Sequence, residues 1–516
     1  MKIYLEDFFD IKRAEIDLKP LMIICGDNGT GKTHLIKLLA KINELLANGI
    51  LFEVKEEDLM EMPPFLNIDE LKGKILLRQP IDIKIKSESL QELYLFLEKV
   101  VNRNIKNRLG AIGKETFGRN DFLKNNLKKI DLKFNNRATN LNVLINFDES
   151  ENNPQTELLK NLNEISNEIK HNQTVSELLE KLAQLDSAKS LNLTFEITTE
   201  KYVSRRGLSI VGENSDTEKK VNRIICSTVE NIFAHLYPVD LDIKGVSREL
   251  YYLPASREAY HRDLEHFREK FKNNDNYLIT RYVADKRGRK TNNFNSKDPF
   301  IEKYVEDIMR VLTRDIEKDL LDEKTKLLLN FFEENVMKAK VLVDSGAVKF
   351  KLPNEDIITP SMASSLQNEY SFLKILIERS NKPNLIIEEP ESHLSIKSAI
   401  KLAYFLLCYQ YNNKNLLWLT THNNFIGDAI NNFIMISKLS EIEQKEFLKL
   451  LGLNNIIDYI DPSFENRIAA YLICNNEMTE LPKNEYGINF ENFNSQINKF
   501  INITTKLQVK MDNCIE

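Results

Sequence analysis

Residues 21 to 34 read LMIICGDNGTGKTH. Gly26, four intervening residues, then Gly31, Lys32 and Thr33 make a complete P-loop pattern. Leu21 to Cys25 is an apolar run of strand length, and Leu35, Ile36, Leu38, Leu39, Ile42, Leu45 and Leu46 recur at helical spacing. Strand, glycine-rich loop and helix is the order that a phosphate cradle requires. Gly26, Gly29 and Gly31 let the chain turn tightly, so the backbone N–H groups of the loop, those of Asn28 and Thr30 included, face phosphate oxygens. The helix that begins near Lys32 adds its positive dipole end. Lys32 is expected on the β- and γ-phosphates and the Thr33 hydroxyl on Mg²⁺, so the expected ligands are ATP and Mg²⁺.

Working outward, the chain has 516 residues, enough for a sizeable core and more than one domain. Its 71 basic and 77 acidic residues leave a net charge of −6, which excludes a generally basic nucleic-acid coat but not a local basic patch. Cys25, Cys226, Cys408, Cys474 and Cys514 form no CxxC pair, which fits a reducing cytoplasm rather than a disulfide framework or a structural zinc site. There is no signal peptide and no apolar run long enough to span a bilayer, so a cytoplasmic protein away from the membrane is expected.

Residues 2 to 18 alternate as a hairpin would, with a turn at Asp10 to Arg13, and run straight into the P-loop strand. Strands are expected at Pro80 to Lys86, Ile130 to Phe134, Leu141 to Phe147, Leu191 to Thr198 and Tyr251 to Leu253. An amphipathic helix is expected at Ser89 to Arg108, and one or two polar helices at Thr156 to Leu185 without a sustained heptad array. Arg257 to about Lys340 reads mainly as helix, followed by a hairpin of Val341 to Val343 and Val348 to Leu352. Pro360 to Ile436 alternates helix with apolar strand, the pattern of a parallel sheet.

Three further stretches carry chemistry. Leu385 to Glu389 is an apolar strand ending in two carboxylates, a Walker B pattern. A strand beside the P-loop strand would bring Glu388 to the metal and Glu389 to the attacking water. LLWLT at 416 to 420 is a second such strand, followed by Thr421 and His422; a histidine there suits a γ-phosphate sensor, or is a structural side chain. A helix expected over Ser361 to Arg379 carries Ser364 and Ser365 near its start, where serine either meets an anion or caps the helix.

The motif order is a hairpin, GDNGTGKT, YYLPASRE, ASSLQNEYSFL, LIIEEPESHL and LWLTTHNNF. It resembles the OLD-type and SMC-like ATPases of bacterial antiphage systems, which have the fold of ABC heads and dimerise around two ATP molecules. The match is dense at 1 to 47 and 250 to 436 and thin elsewhere. The resemblance implies an α/β ABC-type head with a mixed sheet and an antiparallel β-subdomain. That head comprises an N-terminal lobe with the P-loop at 1–87, a return at 191–256 and a C-terminal lobe at 341–436. A mixed helical and strand insertion occupies 88–190, a helical insertion 257–340 and a small extension 437–516. It also implies a homodimer or higher homo-oligomer, with the Ser364–Ser365 helix end closing on ATP held by the other subunit and Arg257 a contact to nucleotide or partner. Two positions depart from the family: Leu366 stands where a glycine usually follows the serines, and His393, Leu394, Ser395 and Ile396 replace HLHP. No clear Q-loop glutamine is present.

The OLD nucleases continue into a TOPRIM domain. Residues 423 to 516 contain no DxD, and the seven histidines form no HNH arrangement. The resemblance therefore implies an ATPase subunit without nuclease activity that works with a separately encoded effector, a nuclease or toxin, as in Septu, PARIS and some retron systems. A DNA-repair ATPase of RecF or SMC type and a nucleotide-locked assembly core are the other readings. Candidate nucleic-acid contacts are Lys286, Arg287, Arg289 and Lys290 in a polar loop, and the basic run from Arg103 to Lys129; either is also an ordinary solvated face.

Overall fold

The computed structural model describes residues 1–76, 80–135, 138, 140–147, 190–199, 203–211, 217–241, 249–255, 299–313, 321–344, 347–380 and 382–490. The expectations for Arg257, for Lys286, Arg287, Arg289 and Lys290, and for the polar helices at 156–185 fall outside these residues.

In chain order, β1 (Lys2–Phe8) and β2 (Ile11–Asp17) lead into β3 (Leu21–Gly26) and α1 (Lys32–Ala47). Then come α2 (Ile68–Leu76), β4 (Ile81–Lys86), α3 (Ser87–Phe117), α4 (Phe122–Asn126), β5 (Lys129–Lys133) and β6 (Asn140–Phe147). Next are β7 (Ser190–Thr199), β8 (Val203–Val211), α5 (Thr217–Leu241), β9 (Leu250–Leu253), α6 (Pro299–Thr313) and α7 (Glu323–Phe332). A π-helical turn, Glu333–Met337, precedes β10 (Lys340–Asp344), β11 (Ala347–Lys351), β12 (Ile357–Ile358) and α8 (Ser365–Arg379). The chain continues through β13 (Asn384–Glu388), α9 (Ile396–Asn413), β14 (Leu417–Thr421), α10 (Asn424–Ser437), α11 (Glu441–Leu451), β15 (Ile468–Cys474) and β16 (Glu477–Glu480).

Two compact units result. One comprises Met1, 45–107 and 132–241; the other comprises 2–44, 108–131 and 242–516. In the first, β4, β6, β7 and β8 form an antiparallel sheet in that order. The register pairs Ile81 with Ile145 and Val143 with Ile197. The alternation IDIKIK and LNVLI puts Ile81, Ile85, Leu141, Val143 and Ile145 inside. Arg103 is paired with Asp58, and Asn104 donates to the carbonyls of Leu51 (2.9 Å) and Glu53 (2.8 Å), so a polar loop is tied down without leaving buried carbonyls unmet.

The second unit is built on a mixed nine-stranded sheet, order β5-β1-β2-β16-β15-β3-β14-β13-β9. β9, β13, β14, β3 and β15 run parallel. Every residue of β3, β13 and β14 is buried, as a parallel sheet covered on both faces demands, and Glu388 shares that burial. At the antiparallel end β1 pairs with β2. The α/β mixed-sheet class expected from sequence is the class observed.

Several boundaries differ from expectation. The first hairpin turns over Phe9 and Asp10, with Phe8 opposite Ile11, because Asp7 and Phe9 take left-handed φ of 49° and 54°. α3 passes through Gly110 and Gly113 and stops at Gly118, whose φ of 76° ends it. α8 starts at Ser365 rather than Ser361: Ser364 Oγ accepts from the Gln367 N–H (3.2 Å) and Gln367 Oε1 accepts from the Ser364 N–H (3.0 Å), a capping box that fixes the first turn.

The largest addition lies after Ile436. β15 pairs in parallel with β3 over Ile468 to Ile473, and β16 carries the sheet on to β2. The segment after the last helix and strand alternation thus supplies a strand at the heart of the sheet. Tyr471 secures it: its hydroxyl accepts from the Asp17 N–H (2.7 Å) and lies 3.2 Å from the Asp17 carbonyl oxygen. Tyr471→Phe is expected to lower stability by about 1–2 kcal/mol, read as a lower denaturant midpoint with an unchanged slope. An unchanged midpoint would mean that the strand is not held through this hydroxyl.

A second expectation concerns Gly26. Its φ is 149°, and a Cβ there would stand 2.7 Å from the Ile473 carbonyl oxygen. Gly26→Ala must move β15 or the loop and should cost about 1–3 kcal/mol in the same measurement. A variant as stable as the parent would contradict this close approach.

Candidate active site

The loop that follows β3 brings its groups together at the carboxyl ends of the parallel strands, the position where open α/β sheets bind ligands. Gly29 and Gly31 have φ of 81° and 87°, with open space around Gly29 and Ile11 Cδ1 4.0 Å from where a Cβ on Gly31 would stand. The Thr30 hydroxyl donates to the Asp27 carbonyl (2.9 Å). Lys32, the first residue of α1, donates from Nζ to the carbonyls of Gly26 and Asp27, both at 2.7 Å. Burial pushes its pKa down from the usual lysine value, and the charge of Glu389 opposes that shift most strongly.

The Walker B strand lies two strands from β3. In β13, Glu388 is level with Thr420 of β14, and Thr421 of β14 is level with Cys25 of β3. Glu388 is 4% exposed. Burial raises its pKa above the carboxylate range; the Tyr252 hydroxyl, the charge of Lys37, the Thr33 hydroxyl and the Ala255 N–H oppose that. The Ala255 N–H lies 3.3 Å from Glu388 Oε2. Thr33 and Glu388, the two residues expected on the metal, are therefore neighbours. A hydroxyl and a carboxylate are the hard oxygen donors that suit Mg²⁺.

Glu389 leaves the strand with a left-handed φ of 43°, a conformation that costs a non-glycine residue energy and is held here by its N–H on the Thr420 carbonyl (2.9 Å). That turn takes its side chain out of the sheet, to half-buried surroundings within 3.6 Å of His422 Nδ1. His422 stands just past β14, its side chain 42% exposed. Lys32, Thr33, Glu388, Glu389 and His422 thus share one locality. Asn28 is exposed on the loop. Ser364 is engaged with Gln367 in the capping box at the start of α8.

Sequence reasoning missed several supporting groups. Lys37, four residues after Thr33 and so on the same face of α1, lies 5.8 Å from the ring centroids of both Tyr252 and Phe300. Tyr252 was visible only as part of YLPASR. Glu391 and Thr421 sat inside quoted motifs without a role. His34 stacks on Phe9 from the first hairpin turn, with ring centroids 4.2 Å apart, and Phe117 stacks on Phe122 at the same separation beside them. This aromatic wall begins one residue after Thr33. A cavity of 380 Å³ in the other unit, lined by Leu59, Met62, Pro63 and Leu66 among others, contains none of these residues.

Among the described residues, no helix is long and apolar enough to cross a membrane and no His, Cys, Asp and Glu cluster of metal-binding type occurs. No protein-family model and no curated protein matches the chain. Among solved structures, the chain is similar to the SMC head domain from Thermotoga maritima at 10% identity and a TM-score of 0.26, over 94% of this chain and 98% of that one. It is also similar to the Smc head domain with a coiled coil and joint derived from Pyrococcus yayanosii, at 10% identity and a TM-score of 0.25, over 94% and 96%.

Proposed function

We propose that the chain is a Mg²⁺-dependent ATPase of ABC-head type. The observation that carries this is the meeting of Lys32, the Thr33 and Glu388 pair, Glu389 and His422 at the ends of β3, β13 and β14. The ammonium of Lys32 supplies the charge for the β- and γ-phosphates once it leaves the two loop carbonyls that it caps in this structure. The left-handed turns at Gly29 and Gly31 and the start of α1 supply N–H donors. Thr33 and Glu388 would hold Mg²⁺, which when bound neutralises phosphate charge. Glu389 is in position to orient and deprotonate water, with His422 beside it to meet the γ-phosphate. The flat rings of Phe9 and His34 offer a surface on which a base could stack.

The likeness of the motif order to OLD-type ATPases supports a further reading. Two chains would share two ATP molecules, and the pair would restrain or scaffold a separately encoded effector in an antiphage system. Cys25, Cys226 and Cys408, buried free thiols, suit the cytoplasm. Salt-sensitive binding of the purified chain to plain DNA would favour the DNA-repair reading instead.

Lys32→Ala is expected to abolish ATP binding, measured by calorimetry. Glu389→Gln should bind ATP and hydrolyse it about 10²-fold more slowly, the usual scale for a positioned base. Unimpaired turnover in that variant would remove Glu389 from the role and turn attention to Glu388. For the shared site, chains carrying Lys32→Ala are mixed with chains carrying Ser364→Trp and Ser365→Trp. Each preparation should be nearly inactive, and mixing should restore part of the ATPase activity, because one site in the mixed dimer is intact. A serine variant that is fully active by itself would reduce Ser364 and Ser365 to a helix cap.

A further inference from the structure

Glu391 is a buried charge that the Walker B pattern itself does not require. Its side chain is 4% exposed, three residues beyond the end of β13. An ionised carboxylate in that place costs several kcal/mol unless donors repay it. Burial accordingly raises its pKa above the usual carboxylate range, with the Thr421 bond, the charge of His422 and the His422 N–H acting against the rise. Cys25 and Lys32 also feel its charge.

The donors that reach Glu391 from outside its own turn come from one place. The Thr421 hydroxyl donates to Oε1 at 2.5 Å and the His422 N–H lies 3.3 Å from the same oxygen. His422 Nδ1 is 3.9 Å from it and 3.6 Å from Glu389 Oε1. The other oxygen, Oε2, is buried with no hydrogen-bond partner among the described residues. Thr421 Oγ1 in turn accepts from the Asn423 N–H (2.9 Å), and Asn423 Oδ1 caps α10 through the Phe425 N–H (3.1 Å). One buried carboxylate thereby pins the whole turn that carries His422 between β14 and α10. Two carboxylates beside Nδ1, at 3.6 and 3.9 Å, favour a proton on that nitrogen and leave Nε2 as the nitrogen for a ligand, which donates to a phosphate oxygen when it too carries a proton.

We propose that Glu391 is a positioning residue for His422, holding its backbone through Thr421 and its ring through Nδ1 so that Nε2 is presented to the nucleotide site. The kinetic consequence rests on the ATPase reading; the orientation of His422 does not. The residue acts through His422 and does not itself touch substrate.

The experiment has two arms, both on the full chain. In the first, the nucleotide-free protein is labelled with ¹³C-histidine, and the ring signal of His422 is identified by its loss in His422→Ala. Glu391→Gln and Thr421→Val should each displace that signal, and Glu391→Asp should restore part of its position. In the second, Glu391→Gln and Thr421→Val should lower kcat for ATP about tenfold with KM within about twofold, and Glu391→Gln should add no loss to His422→Ala. A His422 signal unmoved by both variants overturns the proposal, as does a double variant whose loss is the product of the two single losses. If Glu391→Gln fails to fold, Thr421→Val carries the same expectation from the other side of the bond. If the parent chain does not hydrolyse ATP, the ATPase reading fails while the ring signal still decides the role of Glu391.

Discussion

The carbonyl oxygen of Ile473 lies where a side chain on residue 26 would have to begin. That close approach sits at the end of the β15–β3 pairing and ties it to the first turn of the P-loop. Because β15 runs in register with β3 as far as Ile473 and Gly26, the loop starts at a fixed height above the sheet. Gly26 is required there by close approach and by its φ, whereas Gly29 and Gly31 are required by φ alone. The loop is shaped by a strand contributed from more than 400 residues later in the chain, as the register of β15 on β3 shows.

Around that fixed loop the charges are arranged in a narrow space. Lys32 is pulled between burial, which disfavours its charge, and the nearby carboxylates of Glu389 and Glu391, which favour it. Glu388 is sunk deepest and leans on Tyr252, Lys37, Thr33 and the Ala255 N–H. Glu389 is strained out of the strand and Glu391 is folded back under His422. Three acids within four residues thus occupy three different environments, which is how one strand end provides groups with different tasks. Lys32 and Glu388 each have counter-groups within the protein.

The legible part of the sequence was the part governed by local rules. The P-loop spacing, the apolar strands before Glu388 and Thr421, and the helix after each follow from periodicity and turn chemistry. The β10 and β11 hairpin was read to within a residue. What was not legible depends on partners distant in sequence. IAAYLIC at 468 to 474 is an apolar run with no motif around it, and only its pairing with β3 makes it central. Nothing in the sequence marks Lys37, whose place is set by Tyr252 and Phe300. Glu391 gains its setting only from Thr421, thirty residues on. The start of α8 was missed by four residues because the Ser364 and Gln367 box competes with other serines nearby in SMASS.

The proposed chemistry requires the loop from Gly26 to Thr33 to be a phosphate site. A calorimetric titration of the unmodified full chain with a slowly hydrolysed ATP analogue, with and without Mg²⁺, asks this directly. The predicted result is saturable binding of about one nucleotide per chain, tightened by Mg²⁺, at the micromolar-to-millimolar affinities usual for nucleotide substrates. No saturable binding up to millimolar analogue with Mg²⁺ present would contradict it.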